Sequence, residues 1–298
     1  MSSVYDNVTG KIMELLQQGE IPWRKPWKTS GGPRNLITRK AYKGINSFLL
    51  NCSPYSSPYW LTFKQAQEKG GHIRKGERSS LVVFWKWLDR KGQTTSDDTD
   101  TGELSPTSGK IPLLRYYNVF NLDQVDGIQA PQEEEITNPF TPIATADQII
   151  QNMQNRPEIQ YGGDRACYSP HLDYIKLPPQ ESFHSPEEFY STAFHELAHA
   201  TGHSSRLNRK GITETSYFGS HEYSQEELVA EFGASMLCGF AGIEQATIQN
   251  SAAYIQGWLK VLNGDKRLAI IAAGQGQKAC DFILNRKEEN DTEITLSE

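Results

Sequence analysis

Thr192-Ala193-Phe194-His195-Glu196-Leu197-Ala198-His199-Ala200 is the stretch on which the rest of the chain turns. On a helix, residues four apart share one face about one turn apart, so His195 and His199 can present two imidazole nitrogens to one metal ion with Glu196 beside them. Four letters of this kind recur by chance, so the flanks decide. Leu197 and Ala198 fill the intervening positions and no proline interrupts the turn. Upstream, Ser185-Pro186-Glu187-Glu188 is a helix start, with serine as N-cap, proline at the first position and glutamate three residues on. His-Glu-x-x-His in that setting is the arrangement of zinc hydrolases.

A catalytic zinc takes three protein ligands and keeps a position for water, so a third ligand is needed. His203 lies four residues past His199, but Gly202 is placed to end the helix first, and the spacing misses the extended motif whose third histidine would fall at Ser205. Residues 224–234 offer another route: a serine N-cap at Ser224, an apolar-periodic helix, and Glu227 and Glu231 four apart on one face. This layout resembles that of the thermolysin-like (gluzincin) peptidases. The resemblance implies Glu227 as third ligand and Glu231 as the residue that fixes the tautomer of His195. Glu226 and His203 stand as rival ligands. With zinc lowering the pKa of a bound water and Glu196 as its base, the expected chemistry is peptide-bond hydrolysis, one zinc per chain. The oxyanion donor is open among His203, His221 and Tyr223. An edge strand beside the motif helix could hold a peptide by strand addition, and 165–169 with 174–177 is the candidate pair.

Working outward, the chain of 298 residues is long enough for two domains, and its net charge of −6 is unevenly divided. Residues 1–90 carry 15 Lys and Arg against 6 Asp and Glu, a balance of +9; the remainder carries −15. A basic half points to a polyanion such as nucleic acid. In that half aromatics alternate with basic and amide side chains: Trp23, Arg24, Lys25 and Trp27 in a proline-fixed extended segment, then Arg34, Asn35, Lys40, Tyr42, Lys43, Asn46, Trp60, Arg74 and Lys75. Five of the six tryptophans precede residue 90, which supplies the stacking faces and phosphate-tracking cations that single-stranded nucleic acid needs.

No apolar run spans a bilayer and no signal-peptide pattern opens the chain, so a cytoplasmic protein with no membrane partner is expected. Cys52, Cys167, Cys238 and Cys280 show no paired spacing and read as reduced core residues. Residues 3–18 have helical periodicity. Residues 81–88 and 113–120 read as strands joined by a polar loop, 146–154 as a helix, and 251–263 and 265–287 as core-closing helices.

Over nearly its whole length the chain resembles the ArdC-type antirestriction proteins of conjugative plasmids, related to the N-terminal region of TraC primases. The resemblance rests on Gly19-x-x-Pro22-Trp23-x-x-Pro26-Trp27, Tyr42-x-Gly44-x-Asn46, Trp60-x-Thr62-Phe63-x-Gln65-Ala66 and Gly70-x-x-x-Arg74-Lys75-Gly76-Glu77. It rests further on the run from His195 to His203 with Arg206-Leu207, and on Tyr223-Ser224-x-Glu226-Glu227-Leu228-x-Ala230-Glu231. It implies an α+β protein of two domains: residues 1–125 as a single-stranded-DNA-binding unit with an antiparallel sheet, 126–145 as linker, and 146–298 as a mostly helical zincin-like metalloprotease unit. It also implies protection of DNA entering a recipient cell by conjugation, with single-stranded DNA and DNA-bound proteins as partners. Two functions satisfy these readings: a DNA-tethered zinc peptidase, or a strand-shielding binding protein whose metal site is structural or vestigial. A nuclease is the weaker reading, because it would more usually draw on several Asp residues and hard-cation ligands than on His-Glu-x-x-His.

Overall fold

The computed structural model describes residues 3–18, 21, 32–89, 110–131, 142–214, 221–243 and 252–286. The first helix, α1 (Val4–Gln17), starts on a reciprocal cap. The Ser3 hydroxyl accepts from the Asp6 amide at 3.2 Å, and the Asp6 carboxylate accepts from the Ser3 amide at 2.9 Å. Its stripe of Val8, Ile12, Leu15 and Leu16 is buried. A short helix, α2 (Ile45–Asn51), follows Gly44, whose φ of +55° favours glycine.

The first sheet has the order β1-β2-β5-β4, from β1 (Arg34–Asn35), β2 (Tyr59–Leu61), β4 (Ser80–Asp89) and β5 (Lys110–Asn121). Strands β4 and β5 form the expected antiparallel pair, in register from Ser80 opposite Val119 to Asp89 opposite Lys110. Only the two-residue β1 runs parallel to its neighbour among the described pairs of this sheet. Strand β2 lies between β1 and β5 with Tyr59, Trp60 and Leu61 all buried. Helix α3 (Phe63–Glu68) and a small ladder of β3 (His72–Ile73) with β6 (Val125–Asp126) complete this half.

The second half opens with α4 (Pro142–Asn152), which starts ahead of the expected residue 146 because proline is well tolerated in a first helical turn. A three-stranded sheet follows in the order β7-β9-β8, from β7 (Glu158–Tyr161), β8 (Cys167–Ser169) and β9 (Tyr174–Leu177). Strand β9 is central, parallel to β7 and antiparallel to β8, which leaves β8 at an edge. The helices α5 (Pro186–Ala200), α6 (Lys210–Thr213), α7 (His221–Ala241), α8 (Ala252–Gly264) and α9 (Leu268–Ile283) make the rest. Helix α7 begins at His221, so Ser224 lies inside it and is not its N-cap.

The main core does not stop at the join between halves. Val8, Ile12 and Leu16 of α1 and Ile45 and Phe48 of α2 belong to the same cluster as Leu197, Phe232, Leu237, Leu262 and Ile283. The Phe48 and Phe232 rings meet with centroids 4.5 Å apart. The Thr9 hydroxyl donates to the Lys266 carbonyl at 2.7 Å, and the Gly44 amide to the Gln277 side chain at 3.2 Å. Cys238 and Cys280 are buried in this core and Cys52 is half-buried, but Cys167 is exposed on the edge strand. No described helix is long and apolar enough to cross a membrane.

Candidate metal centre and active-site cleft

Helix α5 begins as its sequence dictates: the Ser185 hydroxyl accepts from the Glu188 amide at 3.2 Å and Pro186 occupies the first turn. It then passes through the core, with Ala193, Phe194, Leu197 and Ala198 fully buried. Small residues let it approach α7 closely. Ala198, Ala230 and Ala279 form a cluster of their own, and a Cβ added at Gly233 would sit 3.0 Å from that of Ala198. A Cβ at Gly276 of α9 would sit 2.7 Å from that of Phe232. Larger side chains here would push the helices apart, and the metal-site side chains reach each other only because the backbones are so near.

Nε2 of His195 lies 3.1 Å from Nε2 of His199. The Glu227 carboxylate comes within 3.6 Å of each of these nitrogens, through Oε2 and Oε1 respectively. All three ligand atoms fall within 4.8 Å of one another, and this is the one such group of three or more among the described residues. The set of two imidazoles and one carboxylate fits zinc or another borderline divalent cation and leaves a coordination position on the open side. The group faces a cleft of about 950 Å³, walled on one side by Ala166, Cys167 and Tyr168 of the edge-strand region and on the other by Tyr223 and Glu227 of α7. Glu196 lines the same cleft and is 8 % exposed.

The rival ligands are placed elsewhere. His203 follows the end of α5 at Ala200; its Nδ1 accepts from the Ser205 amide at 3.2 Å, and it lines the cleft without joining the three-atom cluster. Glu226 points behind the cluster, with Oε1 3.3 Å from Nδ1 of His199 and both oxygens gripped by Arg209. Glu231 contributes negative charge at His195. Of the three oxyanion candidates, His221 is turned to Asp265 at 2.8 Å, whereas Tyr223 and His203 line the cleft. Sequence reasoning overlooked Arg209 and the use of Arg206, although both follow the motif in a stretch where a buried cation would need a carboxylate to meet it.

Charge at the site favours a cation. Burial opposes a charged His195, but the Glu227 carboxylate 3.6 Å away and the negative charges of Glu231 and Glu196 outweigh burial and push its pKa up to about 9. Burial would raise Glu227, yet the close imidazoles of His195 and His199, each 3.6 Å from the carboxylate, draw it down to about 2. Burial and the adjacent Glu227 push the Tyr223 phenol up to about 12, so it keeps its proton at neutral pH.

The stabilisation from charged His195 is complete below its ordinary 6.5 and is lost as pH rises through about 9. That from Glu227 is present above its ordinary 4.5 and is lost as pH falls through about 2. The metal-free chain should therefore lose thermal stability between pH 6.5 and about 9. Cation affinity, which requires His195 without its proton, should rise over that window. Melting curves with and without added zinc across the range measure both, and a flat metal-free series would count against this electrostatic account.

The residues expected to meet nucleic acid divide sharply. Trp23, Arg24, Lys25 and Trp27 lie outside the described residues. Trp60 is 2 % exposed and packs with Tyr42, Leu50, Val82 and Val119, so neither aromatic offers a face for a base. Asn46 is buried, accepting from the Val83 amide and donating to its carbonyl, both at 2.7 Å. Asn35 closes a turn by accepting from the amides of Ile37 and Thr38. These four hold the platform together. Arg74 is exposed but bridges to Glu77 and Asp126, while Lys75 is exposed and Arg34, Lys40 and Lys43 are half-buried. Among the described residues of this half the exposed large aromatics are Phe63 and Tyr116, next in sequence to the exposed Lys64 and Arg115.

Residues 2–120 match the family model described as the N-terminal domain of anti-restriction factor ArdC, and residues 144–275 match a zincin-like metallopeptidase model. A DNA primase TraC of Escherichia coli is 34 % identical over 99 % of this chain. The chain spans only 28 % of that primase, and 20 % of a second one. An uncharacterised protein of Sinorhizobium fredii is 31 % identical, with 95 % of this chain and 92 % of the relative aligned. The Mn(II)-bound crystal structure of the antirestriction ArdC protein from plasmid R388 superposes with a TM-score of 0.74 at 35 % identity, covering 95 % of this chain and 98 % of that one. Its metal-free form gives 0.71.

Proposed function

Because the chain belongs to the ArdC family of antirestriction proteins, with a zincin-like domain and TraC homology, we propose that it binds single-stranded DNA and hydrolyses peptide bonds in proteins bound to that DNA, protecting it as it enters a new cell. The observation that carries the peptidase half is the convergence of His195, His199 and Glu227 at the floor of a cleft whose wall is an edge strand. These three residues would hold one zinc ion per chain; the R388 protein's Mn(II)-bound structure is in keeping with a divalent cation in this family. When bound, the ion lowers the pKa of a water and polarises a carbonyl.

The remaining work belongs to side chains of this chain. Glu196, in the cleft beside both histidines, takes a proton from the attacking water and passes it to the leaving nitrogen. The Tyr223 hydroxyl, still protonated at neutral pH, donates to the developing oxyanion, with His203 as a second donor in the cleft. Because the Ser205 amide donates to Nδ1 of His203, neutral His203 carries its proton on Nε2. Strand β8, at an edge of this sheet among the described residues, holds an extended peptide by main-chain hydrogen bonds. On the nucleic-acid side, the basic first half supplies phosphate contacts through Lys75 and its neighbouring cations, and the exposed Phe63 and Tyr116 supply stacking faces.

Metal analysis of the full chain should give one zinc per chain. Affinity for single strands should exceed that for duplex and fall linearly with the logarithm of salt concentration. Salt-independent binding would remove the phosphate contacts from the proposal, and a chain that takes up no divalent cation would remove the peptidase.

A further inference from the structure

Two arginines follow the motif helix, and both side chains turn back beneath it. Arg206, with 2 % of its side chain exposed, donates to the Ala200 carbonyl at 2.7 Å, to Tyr168 at 3.2 Å and to both oxygens of Asp173. It ties the β8–β9 wall to the end of α5. Arg209, 5 % exposed, grips Glu226 with two prongs: Nε to Oε2 at 3.0 Å and Nη2 to Oε1 at 2.6 Å. It also donates to the Thr201 hydroxyl at 2.6 Å and to the Ala198 carbonyl at 2.7 Å.

Glu226 stands between that guanidinium and Nδ1 of His199, at 3.3 Å. A carboxylate is an acceptor only, so the proton of a neutral His199 must sit on Nδ1, and the lone pair on Nε2 then faces His195 and Glu227. A buried ion pair contributes little net stability against apolar packing of the same volume. The worth of this one lies in what it holds. We infer that Arg209 is a positioning residue: it locks Glu226 against His199, fixes the histidine's tautomer and so tightens cation binding at the cluster, an inference that rests on the metal reading above. Unlike a lysine, arginine fixes both carboxylate oxygens in one plane.

The test uses the full chain, stripped of metal. Zinc affinity by competition with a chromophoric chelator should fall about 10- to 100-fold in Arg209→Met and by a smaller factor in Arg209→Lys, which keeps the charge without the fork. Arg206→Met removes an equally buried arginine from the same helix end and should leave zinc affinity near the wild-type value. Affinity unchanged in both Arg209 variants, or falling equally in Arg206→Met, overturns the proposal. Nitrogen-15 NMR of His199 in the metal-free protein gives a readout independent of loading. An Nδ1–H tautomer in the wild type that becomes mixed in Arg209→Met sustains the proposal, even for a chain that takes up no zinc and so loses only the metal reading. An identical tautomer in wild type and Arg209→Met overturns it.

Discussion

Exchanging Glu196 for glutamine is expected to lower peptide hydrolysis by about 10²- to 10⁴-fold, the range spanned by loss of a positioned general base, while leaving metal content and DNA binding intact. Glutamine keeps the shape and the hydrogen-bonding reach of the side chain but cannot accept a proton from water. Glu196 is not among the three groups whose ligand atoms converge, so the cluster of His195, His199 and Glu227 survives the exchange. The comparison to make is with His199→Ala, which removes a converging nitrogen and should lose metal and activity together. A casein-type or DNA-bound protein substrate, assayed with and without single-stranded DNA, reads the activity, and elemental analysis reads the metal. Full hydrolysis by the Glu196→Gln variant would sink the catalytic assignment. Loss of metal in it would recast Glu196 as a ligand.

What could be read from the sequence was what is encoded locally. The Ser185-Pro186 helix start and the four-residue histidine spacing need no distant partner, and neither does the hairpin of β4 and β5. Glu227 was reached through a family resemblance, and its distance to the two histidines depends on Ala198, Ala230 and Gly233 bringing two helices together, which no local pattern reveals. The nucleic-acid footprint was the least legible part. Alternating aromatic and basic residues serve a stacking surface and the core of a small sheet equally well. Trp60 went to the core on β2, where all three side chains are buried, and Tyr42 packs into the same cluster from the segment ahead of α2. Asn46 looked like a base reader, but both its donor and its acceptor are spent on the backbone of Val83.

The shared core carries the second large effect: residues 1–125 produced alone are expected not to fold. Cutting the chain there would uncover Val8, Ile12 and Leu16 of α1 and Ile45 and Phe48 of α2, each of which is at most 5 % exposed in the whole chain. At ~1.5 to 3 kcal/mol for each such side chain, the loss is on the order of 10 kcal/mol, as large as the entire stability of an ordinary domain. A single interior substitution should already show the effect, with Phe48→Ala in the full chain costing about 3 to 5 kcal/mol, since its ring lies against fully buried Phe232. Chemical denaturation of the full-length variant, and the dispersion of amide resonances in the fragment, make the two measurements. A fragment with a cooperative unfolding transition would show that α1 and α2 lean on α7 and α9 without needing them. If the fragment is unfolded, the basic half acts only as part of the whole. Phe232, which Phe48 supports, follows Glu231 directly on the helix that carries Glu227. Helix α2 then stands between the sheet, to which Asn46 ties it, and the helix that completes the metal cluster.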